Sequence, residues 1–255
     1  MRILVTFAVE AEFAPWRRLR EFAKSHELAS SYAGVMAAYV SKAGNDRIEV
    51  LLTGIGRESC ERIFANHQIA PTDRPDIVIS SGLAGALRQN LKPGDLVAAR
   101  TTRTLNNETK VDSDLSCLRL AADSGAIPID TLITADRIVP TAEEKSRLAY
   151  SGEVVEMESA FILNHFARLG VPVLALRGIS DSANEDLPLD FDRCLTPQGE
   201  IKPMNLINQI VRRPGNLPSL IRFGRQSSQA AQNLAQFMDK FVETVTKATC
   251  GAAAR

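Results

Sequence analysis

The chain has 255 residues, 45% hydrophobic and 24% charged, which is the composition of an ordinary folded protein, excludes disorder over most of its length, and lies within reach of a single α/β domain over 1–255. Its 30 basic and 30 acidic side chains cancel to zero net charge, so no general nucleic-acid binder is expected and the partner is a small molecule. Cys60, Cys117, Cys194 and Cys250 are too scattered for a zinc ribbon or redox pair and too few for a disulfide scaffold, which fits a reducing cytoplasm.

In chain order, the first apolar run, Ile3 to Phe7, meets Glu10 and Glu12 too soon for a secretion signal or a membrane span and reads as a strand. Further β-branched runs follow at Ile48–Thr53, Ile77–Ser80, Leu96–Ala99, Leu132–Thr134, Val154–Val155 and Val171–Leu176. Helices are predicted between them at Glu10–Ala23, Glu58–Asn66, Thr141–Tyr150 and Ser159–Leu169, with Thr141 and Glu144 as a capping box. This alternation predicts an α/β fold around a largely parallel or mixed sheet. Residues 184–226 break the rhythm with Pro188, Pro197, Pro203, Pro214 and Pro218. No acid occurs from Ile201 to Met238, while Lys202, Arg212, Arg213, Arg222 and Arg225 are basic. The segment reads as an excursion from the sheet, closed by a helix over about 225–246, and 251–255 as a frayed end.

Ligands of open α/β sheets gather beyond the carboxyl ends of the strands, and the residues there form a set. They are Ala8-Val9-Glu10-Ala11-Glu12, Thr53-Gly54-Ile55-Gly56, Ser81-Gly82-Leu83-Ala84-Gly85, Val155-Glu156-Met157-Glu158-Ser159 and Gly178-Ile179-Ser180-Asp181. The glycine turns let a ligand approach the backbone and leave amide donors free at a helix start. Gly54 to Ser59 falls one glycine short of a dinucleotide fingerprint, so a Rossmann oxidoreductase is an alternative and no cofactor is the leading expectation. Glu12, Glu158 and Asp181 stand out because all three fall at strand ends, where a solvated helix-face role does not explain them. His26, His67 and His165 show no metal-ligand spacing, so no metal is expected.

These segments, with Gly94-Asp95-Leu96-Val97, resemble the purine nucleoside phosphorylase and uridine phosphorylase superfamily over 1–183, and most of all its 5'-methylthioadenosine/S-adenosylhomocysteine nucleosidase branch. The resemblance implies a three-layer fold with a central mixed, twisted sheet flanked by helices. It implies that Glu12 activates the attacking water, Glu158 holds the ribose hydroxyls, Met157 packs on the sugar, and Asp181, oriented by Ser180, serves the N7 side of a purine. Ile55, Gly82 and Leu83 join the substrate-binding set, and Ile138 and Val139 line the base pocket, where the family places an aromatic and an aliphatic residue. Breaking an N-glycosidic bond leaves a ribosyl cation and a purine anion, so a proton on the base helps it leave, provided burial or a neighbour keeps one on Asp181.

Phosphorolytic relatives carry a Gly-Asp-Pro-x-Arg segment after the first strand and an arginine and a serine near the third. The segment is absent here and Ser80 and Leu83 hold the other two positions, which favours water over phosphate, with Arg57 and Arg88 as possible replacement cations. Arg212 to Pro218, with Thr134 to Lys145, resembles the hopanoid-associated members, which implies a lipid-linked adenosine and a peripheral membrane contact through 202–225. The family also implies a homo-oligomer. A phosphorylase, a futalosine-type hydrolase and a non-catalytic nucleoside-binding protein remain as alternatives.

Overall fold

In the computed structural model, the residues described are 1–43, 46–65, 67–190, 215 and 217–253. The first half contributes strands β1 (Arg2–Phe7), β2 (Ala23–Lys24), β3 (Ala37–Ala43), β4 (Asp46–Leu52) and β5 (Ile77–Ala86), with helices α1 (Glu10–Leu19), α2 (His26–Ser31) and α3 (Arg57–Phe64). The second half adds β6 (Leu96–Thr104), β7 (Lys110–Asp112), β8 (Ile127–Thr134), β9 (Val154–Glu156) and β10 (Val173–Asp181), with α4 (Leu115–Asp123), α5 (Ala142–Leu148), α6 (Ser159–Ala167) and α7 (Leu217–Ala253).

These strands share one mixed sheet in the order β10-β6-β8-β9-β5-β1-β4-β3-β2, and β10 also pairs with β5. That extra pairing rolls β5, β10, β6, β8 and β9 into a closed ring from which β1, β4, β3 and β2 extend as an open wing. Alternate side chains feed opposite faces, as the pleat requires. Leu4, Leu51 and Val78 pack towards Ile63 and Phe64 of α3 and Leu163 and Phe166 of α6. Ile3, Val5, Val50 and Ile79 pack towards Phe13 and Trp16 of α1 and Leu234, Met238 and Phe241 of α7. The result is three layers, helix, sheet and helix, and β10 is buried along all nine residues because it is covered on both faces.

Several expectations needed correction. The hairpin strand β3, the edge strands β2 and β7, and helices α2 and α4 were not anticipated. α1 stops at Leu19, four residues short of the predicted end, and the chain turns so that Phe22 packs edge-on against Phe13 and Trp16. Thr141 caps α5 by accepting from the Glu144 amide at 3.2 Å, but the Glu144 carboxylate pairs with Arg137 at 2.6 Å instead of closing the capping box. The last helix starts at Leu217 rather than near Arg225, since Pro218 sits in its first turn, where no intrahelical amide is needed. Of the Pro-rich excursion, Lys202, Arg212, Arg213 and most of its prolines lie outside the described residues.

Candidate active site

The position of the site follows from how β5 changes partners. Its first residues pair with β1 as far as Ser80, and its last, Gly85 and Ala86, pair with β9. Between them one edge of Ser81 to Ala84 has no neighbouring strand, and the Leu83 amide donates instead to Glu12 Oε1 at 2.8 Å. Glu12 lies in the first turn of α1, where its Oε2 also accepts from the amides of Ala8 at 3.1 Å and Val9 at 3.4 Å. Burial raises the carboxyl above its ordinary value, against the lowering effects of the Leu83 amide and of Arg177. Gly82 is required behind it: φ is +143°, and a Cβ there would stand 2.9 Å from Glu12 Oε1 and 3.0 Å from Arg177 Nη1.

Glu158 is the N-cap residue of α6, and its Oε1 accepts from the Gly56 amide at 2.8 Å. The glycine turn after β4 therefore gives that donor to a carboxylate of its own chain, contrary to the expectation of free amides for a ligand. Burial first, then the neighbouring Glu156, push the Glu158 carboxyl up, to about 8, against the Arg177 guanidinium. Glu156 goes the other way. Burial pushes it up, but Arg177, Thr134 and the Glu158 amide outweigh that and hold it below its ordinary value. It accepts from Thr134 Oγ1 at 2.5 Å, Ser159 Oγ at 3.0 Å and Arg177 Nη2 at 2.5 Å. The same Nη2 reaches Ser159 Oγ at 2.8 Å and Ser80 Oγ at 3.1 Å. Two acids are thus biased towards the proton and a third towards the charge within one cluster, the separation that acid–base chemistry uses.

Asp181 ends β10 after a register irregularity between Ile179 and Asp181. Its Oδ1 accepts from Ser180 Oγ at 2.5 Å and its Oδ2 from Lys145 Nζ at 2.6 Å. The neighbour on Oδ2 is thus the Lys145 ammonium. Glu12, Glu158, Asp181 and Ser180 line one cavity of about 670 Å³, together with Ile55, Leu83, Ile138, Val139 and Met157. Gly82 is not on the wall; it supports Glu12 from behind. The cavity continues between α1 and α7, past Ala11, Ala14 and Pro15 on one side and Phe223, Gly224 and Ala231 on the other. Its volume lies in the range of small-molecule sites.

Arg177 and Lys145 were missed as site residues. Arg177 carries a readable signal, a charge inside an apolar strand that must find a buried partner. Lys145 carries none, since a lysine on a short polar helix reads as solvated. The proposed substitute cation Arg57 lies instead on the outside of α3, 2.7 Å from Glu61 and over the Phe161 ring. Arg88 is exposed. His67 and His165, which show no metal-ligand spacing in the sequence, approach to 3.5 Å within an aromatic cluster of Tyr32, Phe64 and Phe166, where burial and then His67 lower His165 to about 4.

Replacing Arg177 with Met leaves Glu156 as an uncompensated buried charge, a change that costs about 3–5 kcal/mol. Urea unfolding measures it, and a loss below about 1 kcal/mol, the size of an exposed pair, would contradict the buried geometry.

Strand ends that gather acids around a cavity in a three-layer α/β sheet define an enzyme of the nucleoside-phosphorylase-like fold. The chain belongs to the phosphorylase superfamily, whose family model matches residues 2–243. Among curated proteins it is similar to the 5'-methylthioadenosine/S-adenosylhomocysteine nucleosidase of Shewanella halifaxensis, 26% identical over 241 residues, covering 81% of this chain and 97% of that protein. It is also similar to the nucleosidase of the same name from Exiguobacterium, 24% identical over 181 residues, covering 62% and 77%. Among solved structures it shares its fold with the Helicobacter pylori enzyme of that name bound to butyl-thio-DADMe-Immucillin-A, with a TM-score of 0.69 at 20% identity over 95% of this chain and 98% of the other. Helicobacter pylori futalosine hydrolase matches with a TM-score of 0.69 at 21% identity, over 95% and 97%.

Proposed function

We propose that this nucleosidase of the phosphorylase superfamily hydrolyses the N-glycosidic bond of a 5'-modified adenine nucleoside. In this reading Glu12 orients and deprotonates water at the sugar C1', Glu158 accepts from the ribose hydroxyls, and Met157 packs on the sugar. Asp181 hands a proton to purine N7, while Ile138 and Val139 cover the base. The carboxylates also offset the positive charge that develops on the sugar as the bond opens. Ser180 orients Asp181, to which it donates.

The observation that favours water over phosphate is the charge at the inner end. Glu12, Glu156 and Glu158 surround a single guanidinium, that of Arg177, which is already paired with Glu156. The Arg177 charge is thus already neutralised by Glu156 and none of it is left over for an incoming phosphate, whereas water needs only an acceptor. The Leu83 amide, suited to an anion, already donates to Glu12, and the Ser80 hydroxyl accepts from Arg177 and lies 3.0 Å from Ser159 Oγ.

The room between α1 and α7 supports a 5' group larger than methylthio. Small and apolar residues such as Ala11, Ala14, Gly224 and Ala231 face it, which suits a lipid-like substituent such as a hopanoid. At the start of α7, Leu217 and Ile221 are 46% and 48% exposed, near Arg222 and Arg225, a pattern that suits contact with a membrane surface. Among the described residues no helix is long and apolar enough to cross a membrane. A homo-oligomer working in the cytoplasm completes the reading.

The test is release of free base, followed by chromatography, from 5'-methylthioadenosine, S-adenosylhomocysteine, futalosine and an adenosine with a long apolar 5' chain. Adenine release is expected from the adenosines, fastest with the long chain. Preference for 5'-methylthioadenosine removes the lipid-linked substrate, and preference for futalosine removes adenine as the base.

A further inference from the structure

Lys145 reaches from α5 to Asp181 on the cavity wall and is 0% exposed. An ammonium carries three hydrogens, and each has an acceptor: Asp181 Oδ2 at 2.6 Å, the Ser182 carbonyl at 2.8 Å and the Glu185 carbonyl at 2.8 Å. The second Asp181 oxygen accepts from Ser180 Oγ at 2.5 Å. Gly85 leaves room for this grouping, since a Cβ there would stand 2.9 Å from Asp181 Oδ2. Both carboxyl oxygens are thus engaged by a neighbour, and of the two neighbours the ammonium is the one that can replace a proton taken up by a departing purine. A buried ammonium is tolerated only when it is well paired, and its partner here is the side chain that faces the base.

We propose that Lys145 is a positioning residue for the leaving base, supplying through Asp181 the proton that the purine takes up. This rests on the nucleosidase reading above. As the C1'–N9 bond breaks, its electron pair passes into the purine. Lys145 passes a proton to Asp181 Oδ2 and becomes a neutral amine, and Asp181 hands that proton to N7. The water oxygen bonds to C1' and gives its proton to Glu12. When the products leave, Glu12 releases that proton to solvent and Lys145 regains one. The sum is nucleoside plus water giving purine plus free sugar.

The experiment compares wild type, Lys145→Met and Lys145→Arg on the best purine nucleoside and on a 4-nitrophenyl riboside with the same 5' group. Nitrophenolate leaves without a proton. In Lys145→Met, kcat on the purine nucleoside is expected to fall about a hundredfold or more while nitrophenolate release changes little. Lys145→Arg is expected to show the same split, because a guanidinium keeps the ion pair but does not give up its proton. It therefore serves if the Met variant does not fold. Equal loss on both substrates in a folded variant means Lys145 only holds the 182–185 turn, and overturns the proposal. Wild-type rates on the purine in either variant overturn it too. A wild-type protein that cleaves neither compound overturns the nucleosidase reading itself.

Discussion

Glu12→Gln is expected to lower kcat by about 10²–10⁴-fold while nucleoside affinity changes little, since it removes the group that takes the proton from water. The carboxylate accepts from the Leu83 amide through one oxygen and from the Ala8 and Val9 amides through the other. A carboxamide has a single acceptor atom, so its NH₂ must face one of these donors, and the side chain loses both its base and its fixed orientation. The pH dependence has a definite sign. Burial raises Glu12 above its ordinary 4.5, so the acid limb of kcat lies above pH 4.5, with activity falling as pH drops through it. That limb disappears in the variant. Base release in single-turnover experiments, with calorimetric titration of a nucleoside, separates turnover from binding. A drop smaller than about tenfold would remove Glu12 from proton transfer.

Asp181→Asn is expected to cost a similar factor for the opposite half of the reaction, about 10²–10⁴-fold on purine nucleosides. An amide neither carries a proton from Lys145 nor delivers one to N7. The substitution also removes the charge facing a buried ammonium, leaving only the Ser182 and Glu185 carbonyls and the new amide oxygen as acceptors. A stability loss of about 1–3 kcal/mol is expected in urea. Turnover of a nitrophenyl riboside, which needs no acid, is retained. An unchanged rate on purine nucleosides would take Asp181 out of the mechanism.

Much of the fold was legible in local pattern. The runs at β1, β4, β5, β8 and β10 are short, β-branched and bounded by polar or glycine residues, so strands were readable one at a time. β3 was not, because Ala37, Ala38, Ser41 and Ala43 give it little β-propensity and it is held by its antiparallel pairing with β4. α4 offered a signal that was passed over: Asp114 caps it, accepting from the Cys117 amide at 2.9 Å.

The candidate site divides in the same way. Glu12, Glu158 and Asp181 were legible because carboxylates at the ends of apolar runs have few ordinary uses. The partners that set their protonation are contacts between distant segments. Arg177 meets Ser80 across 97 positions, and Lys145 meets Asp181 across 36. No sequence periodicity encodes such pairings. The glycine turn shows the converse, for Gly54 and Gly56 suggested amide donors free for a ligand while the Gly56 amide serves Glu158.

The most direct test uses water enriched in oxygen-18, with and without inorganic phosphate, and mass analysis of the sugar released from an adenine nucleoside. One heavy oxygen at C1' of the free sugar, with a rate indifferent to phosphate, is the expected result. A sugar 1-phosphate formed only when phosphate is present would contradict it.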